Sequence, residues 1–213
     1  MGKRELEVGP SNFSGGPCGP PNPLGVLLAA AAVGLAVACT AASRPAVGPD
    51  SNALQEFAVV QKVLQHPRCQ NCHIPGDAPL QFDEGRVHGQ NVKRGPEGAG
   101  ARGLACASCH ATENPPASYG GNMPPGAPNW QLPPPEHKMV FIGLSAGELC
   151  RRLKDPSENG GRDLALLRKH LDDELVLWGW NPGVGRAPVS VPHEEFVAAF
   201  ERWADAGAPC PTP

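Results

Sequence analysis

The chain has 213 residues and a formal net charge of −3, room for one domain with an export segment and none of the basic excess of a nucleic-acid binder. Aromatic residues make up 5% of it, while Gly and Pro number 26 each. A chain so poor in aromatics and so rich in turn formers would struggle to build a large core of its own.

Residues 1–38 read as a signal peptide. Lys3 and Arg4 give a basic start, and residues 24–38 form an uncharged apolar run of 15 residues. A membrane-spanning helix needs about 20, so the run suits a signal core, with an uncleaved N-terminal anchor as the other reading. Ala36-Val37-Ala38 supplies a small-x-small cleavage site before Cys39. The run LAVAC also resembles a bacterial lipobox, which makes Cys39 a candidate for lipidation, against simple secretion. Residues 39–50 are small and polar with prolines, a tether. Residues 51–213 then form the main domain.

The first predicted element is a helix over residues 51–65. Leu54, Phe57, Val60 and Leu64 recur at helical spacing, and Pro67 ends it. Directly after it stands CQNCH, Cys69 to His73, and the same pattern returns as CASCH, Cys106 to His110. Cys-x-x-Cys-His is the signature of covalent haem attachment. Two thiols at that spacing add to the two vinyl groups of a porphyrin, and the adjacent His coordinates the iron. Cys69, Cys72, Cys106 and Cys109 are therefore candidate attachment residues for two c-type haems, with His73 and His110 as proximal ligands. A Cys₄ zinc site is the alternative, although a zinc ribbon needs no His after either pair. Two buried porphyrins would also supply the apolar surface that the composition lacks.

Residues 74–105 carry turn residues and no long periodic pattern. His88 near the middle is a candidate distal ligand, and Lys93 and Arg94 are ordinary surface charge or partners for haem propionates. A second Gly/Pro-rich loop, residues 111–135, holds Met123 and Trp130. The apolar stretch after it holds Met139, the favoured methionine candidate for a distal ligand, with Met123 and His170 as weaker ones and core packing as the bland role of either Met. A helix over residues 145–155 opens on a capping box of Ser145 and Glu148. Another spans residues 163–172, striped by Leu164, Leu167 and Leu171, and His170 beside the stripe reads as a packed histidine. The last helix follows Pro192 and repeats Phe196, Ala199, Phe200 and Trp203, with Gly207 closing it. The plan of small c-type cytochromes, which the chain resembles, implies that this last helix packs on the helix before Cys69. Two cysteines, Cys150 and Cys210, are left over, and an oxidising compartment favours a disulfide between them over two free thiols.

The helix, Cys-x-x-Cys-His, loop and terminal helix together resemble cytochrome c. More narrowly, HPRCQNCH, NVKRGPEG, LACASCH, PGAPNW, NGGR, LVLWGWNPG and GAPCP resemble a bacterial dihaem c-type cytochrome family often labelled "isoquinoline 1-oxidoreductase subunit". The resemblance covers most of residues 52–211. It implies a mostly α, cytochrome c-like dihaem domain with long irregular Gly/Pro-rich loops. It also implies an electron-accepting subunit beside a molybdenum hydroxylase. The chain carries no molybdopterin domain or iron–sulfur cysteine set in its own sequence, so the expectation is an electron carrier without a catalytic site. That carrier is periplasmic or anchored facing the periplasm, and meets redox protein partners as donor and acceptor. It has no nucleic-acid partner and touches a membrane only through a lipid at Cys39. The alternatives are a peroxidase-like haem enzyme with one open distal site and a zinc-binding module.

Overall fold

The structure is a computed structural model and describes residues 49–212. The signal segment, Cys39 and most of the tether lie outside the described residues. The first helix, α1, Pro49–Leu64, begins inside the last residues of the expected tether. Its inner face is Ala53, Phe57, Val60, Val63 and Leu64, all buried. Leu54 of the expected stripe is only half-buried, because the 3.6-residue period carries the face on to Ala53.

The last helix, α7, His193–Asp205, presents Phe196, Ala199, Phe200 and Trp203 to the interior, as their spacing predicts. It packs against α1, with the Phe57 and Trp203 rings 5.1 Å apart and Arg202 donating to Glu56 at 2.7 Å. Trp203 is fully buried, and its indole N–H is satisfied by the Pro209 carbonyl at 2.9 Å. That removes the cost of an unpaired buried donor.

Between these ends the chain makes short pieces. A one-turn helix, α2, Pro67–Gln70, carries the first motif. Two hairpins of paired dipeptides follow, β1 Leu80–Gln81 with β2 Arg86–Val87, and β3 Gly100–Ala101 with β4 Leu104–Ala105. Then come α3 Ala146–Lys154, α4 Pro156–Asn159, α5 Leu164–His170 and α6 Glu174–Leu177. The domain is partly helical, with few strands and long irregular connections. Ser145 caps α3 in a full capping box with Glu148, as its sequence predicts. α3 ends at Lys154, and Pro156 opens α4, since a first-turn proline has no N–H to lose.

Leu149, Cys150 and Leu153 of α3 join the α1–α7 core. There Cys150 is bonded to Cys210 with Cα atoms 5.5 Å apart, which ties α3 to the end of the chain. Closing a loop of that length stabilises a fold by about 2–4 kcal/mol. Among the described residues no helix is long and apolar enough to cross a membrane.

The loops are held by specific clamps. Arg94, read from sequence as surface charge, is buried at 1% exposure. Its guanidinium donates to the carbonyls of Ile74, Gly76 and Pro133 and faces Asp77 at 3.5 Å. One side chain thus gathers three loop segments, because five fixed N–H donors suit several carbonyls at once. Lys93, its neighbour, is exposed. Gly98 has φ +87°, and a Cβ there would stand 2.1 Å from the Leu132 carbonyl oxygen. Only glycine lets the first long loop lie against the second at this point.

Candidate functional site

Each motif is anchored by its own short helical turn and by a carbonyl from a distant loop. In the first motif, His73 Nδ1 lies 2.8 Å from the Met139 carbonyl oxygen, and the Phe141 amide donates back to the His73 carbonyl at 2.9 Å. The Phe141 ring stacks on the imidazole at 3.9 Å, 11° from parallel. In the second motif, His110 Nδ1 lies 2.7 Å from the Pro125 carbonyl oxygen, and Trp130 stacks on the ring at 4.3 Å and 7°. The two arrangements repeat each other. A carbonyl engages Nδ1, which must then carry the proton, and an aromatic ring fixes the imidazole plane. Nε2 has no hydrogen-bond partner among the described residues and is the nitrogen free to take a metal. This is how a ligating histidine is oriented from behind.

Surroundings differ between the motifs. Arg68, Asn71 and Ile74 around the first are buried. Desolvation pushes the Cys69 thiol up to about 12 and the Cys72 thiol up to about 11, and pulls His73 down to about 4. Around the second, Ala107, Ser108 and Cys109 are exposed. Burial raises the Cys106 thiol and lowers His110 in the same directions. The neighbouring Cys106 thiol also helps to raise Cys72, so the motifs lie within electrostatic reach of each other.

They meet at a cavity of about 280 Å³. Cys72 opens on it from one motif, and Cys106, Cys109 and His110 from the other. The apolar wall includes Leu80, Phe82, Leu104, Leu132, Trp130 and Trp178. Two polar atoms on residues of this wall are buried without partners, Arg68 Nε and Asn71 Oδ1. The Arg68 guanidinium is otherwise held by Asp83 and lies over Trp178, 5.7 Å from the ring centroid. A buried donor on a cationic side chain is costly to leave unpaired.

The donor set fits a haem better than a bare metal ion. Among the described residues no three His, Cys, Asp or Glu side chains converge as a ligand set. A haem iron asks the chain for only one or two axial ligands. The paired thiols, the apolar wall and the orphaned Arg68 nitrogen correspond to what a porphyrin's vinyl edge, rings and propionates would require.

The distal candidates separate into two groups. His88 and Met123 line the cavity. Met139 does not: it belongs to the α1–α7 core at 8% exposure, and its carbonyl serves His73 from the proximal side. Its φ of +47° is strained for a side chain with a Cβ and accompanies the carbonyl's contact with the histidine. His170 is also off the cavity. It is surface-facing and bonded to Asp173 at 2.6 Å, rather than packed in the core as its place beside the leucine stripe suggests. A histidine at the last turn of α5 has water on one side and the acidic Asp173 within reach.

Arg68, Phe141 and Trp130 take part in the site without having been singled out for it from sequence. Arg68 stands one residue before Cys69 in a helical turn, which was a usable signal. The stacking partners come from loops, where no periodicity points to a partner. No protein-family model, no curated protein and no solved structure matches the chain.

Proposed function

We propose that the protein is an exported dihaem c-type cytochrome that passes electrons between redox protein partners. The observation that carries this reading is the repeated arrangement at two Cys-x-x-Cys-His motifs, the second opening on an apolar cavity that Cys72 of the first also reaches. Each has its histidine held from behind by a carbonyl and an aromatic ring, with Nε2 left for a metal. Haem, when bound, supplies a one-electron iron couple.

The chain's residues do the rest. Cys69 and Cys72 would hold one haem and Cys106 and Cys109 the other, with His73 and His110 as proximal ligands. Arg68 Nε would donate to a propionate. Leu80, Phe82, Leu132 and Trp178 would keep water from the ring faces, which lowers the local dielectric and sets the potential. Closeness of the two motifs would allow electron exchange within one chain. The cytochrome c-like plan, with first and last helices packed together, and the kinship with the dihaem family of molybdenum-hydroxylase subunits belong to this same proposal. So do periplasmic placement and the lipid at Cys39. The Cys150–Cys210 bond supports an oxidising compartment.

A carrier and a peroxidase-like enzyme separate on one spectrum. A carrier keeps both irons six-coordinate, so the reduced protein's absorption is unchanged by carbon monoxide and the oxidised protein's by cyanide. A haem that binds either one readily in the wild-type protein would favour the enzyme reading.

A further inference from the structure

The two histidines that line the cavity stand in a particular relation. His88 lies at the end of the β1–β2 hairpin, where its backbone N–H donates to the Pro79 carbonyl at 2.8 Å. Its ring centroid is 6.2 Å from that of His110, with the planes 62° apart. His88 Nδ1 is 2.9 Å from the Gly89 carbonyl oxygen, and His110 Nδ1 is 2.7 Å from that of Pro125. In both rings the nitrogen left for a metal is therefore Nε2. Two imidazoles bound through Nε2 on opposite sides of one metal place their centroids roughly 6 Å apart, because each ligating nitrogen stands about 2.0–2.1 Å from the metal. The observed separation is of that size.

We infer that His88 and His110 are the two axial ligands of one iron, that of the haem attached at Cys106 and Cys109. The inference rests on the dihaem reading and adds the ligand pair of one site. It removes Met123 from that iron although Met123 shares the cavity. An iron between two imidazoles has a lower potential than one with a thioether ligand. The second haem would then be the low-potential centre relative to a His/Met alternative.

The test uses the full exported chain with its haems. His88→Ala should turn one of the two haems high-spin, seen in absorption and electron paramagnetic resonance, and open it to carbon monoxide at one per chain. Added imidazole should restore the low-spin spectrum. His88→Met should keep that haem low-spin and move its midpoint potential upward, and Met123→Ala should leave the haem at Cys106 and Cys109 low-spin. His88 is only half-buried on a hairpin end, so its replacement spares the core. If His88→Ala leaves both haems low-spin, or if Met123→Ala turns the haem at Cys106 and Cys109 high-spin, the pairing is wrong while the dihaem reading stands. If the wild-type chain carries no covalent haem by mass, both fall together.

Discussion

The two Cys-x-x-Cys-His motifs have the same local chemistry and opposite surroundings. The first is built into the helical core. His73 is tied to Met139 and Phe141, both in the cluster that α1, α3 and α7 bury. The second lies on a loop whose thiol Cys109 is exposed, backed by a half-buried Trp130. Sequence spacing decides what a site can bind. Its distance from the core decides how far the fold depends on it.

The largest expected effect breaks that comparison at its root. Replacing Cys69 and Cys72 by Ala should remove one haem and destabilise the domain by several kcal/mol, because the apolar surface lost adjoins the main core. The matching Cys106 and Cys109 double variant should stay folded with one haem. Haem-to-chain ratio and thermal unfolding of the exported proteins report both, and equal collapse of the two variants would erase the distinction. Next in size, Phe141→Ala should cost about 3–5 kcal/mol in denaturant unfolding, as for other buried aromatics. Trp130→Ala, at a half-buried position, should cost less than half as much. A smaller effect is expected at Gln65, whose side chain donates to the Leu144 carbonyl at 2.7 Å and the Phe141 carbonyl at 3.3 Å. Gln65→Ala should cost about 1 kcal/mol, with no change at the second motif.

The thiols give the finest test. In the folded haem-free chain, alkylation of Cys69 and Cys72 should be slower than that of Cys109 by on the order of tenfold or more, since the thiolate is the reactive form. Their rates should go on rising with pH until about 11 for Cys72 and about 12 for Cys69. Comparable rates at all four cysteines would mean that the first motif is as open as the second.

Legibility in the sequence followed the reach of each signal. Periodicity found α1, α3, α5 and α7, and the packing of α1 on α7 was expected from the resemblance to cytochrome c. The capping box of α3 was readable because it is local. Cysteine arithmetic pointed to the Cys150–Cys210 pair. Both Cys-x-x-Cys-His motifs were readable because their residues are contiguous. What escaped was long-range. Arg94 looked like surface charge because nothing local reveals three carbonyls brought to it from elsewhere. Met139 was the favoured distal methionine from its apolar setting, and that setting proved to be the core. The 6.2 Å relation of His88 to His110 depends on a hairpin with no alternating pattern to announce it.

The most direct measurement is the intact mass of the exported protein, taken together with its haemochrome absorbance. The account predicts two haems covalently held per chain, falling to one when Cys106 and Cys109 are replaced. A chain of unmodified mass that binds zinc and shows no Soret band would contradict it.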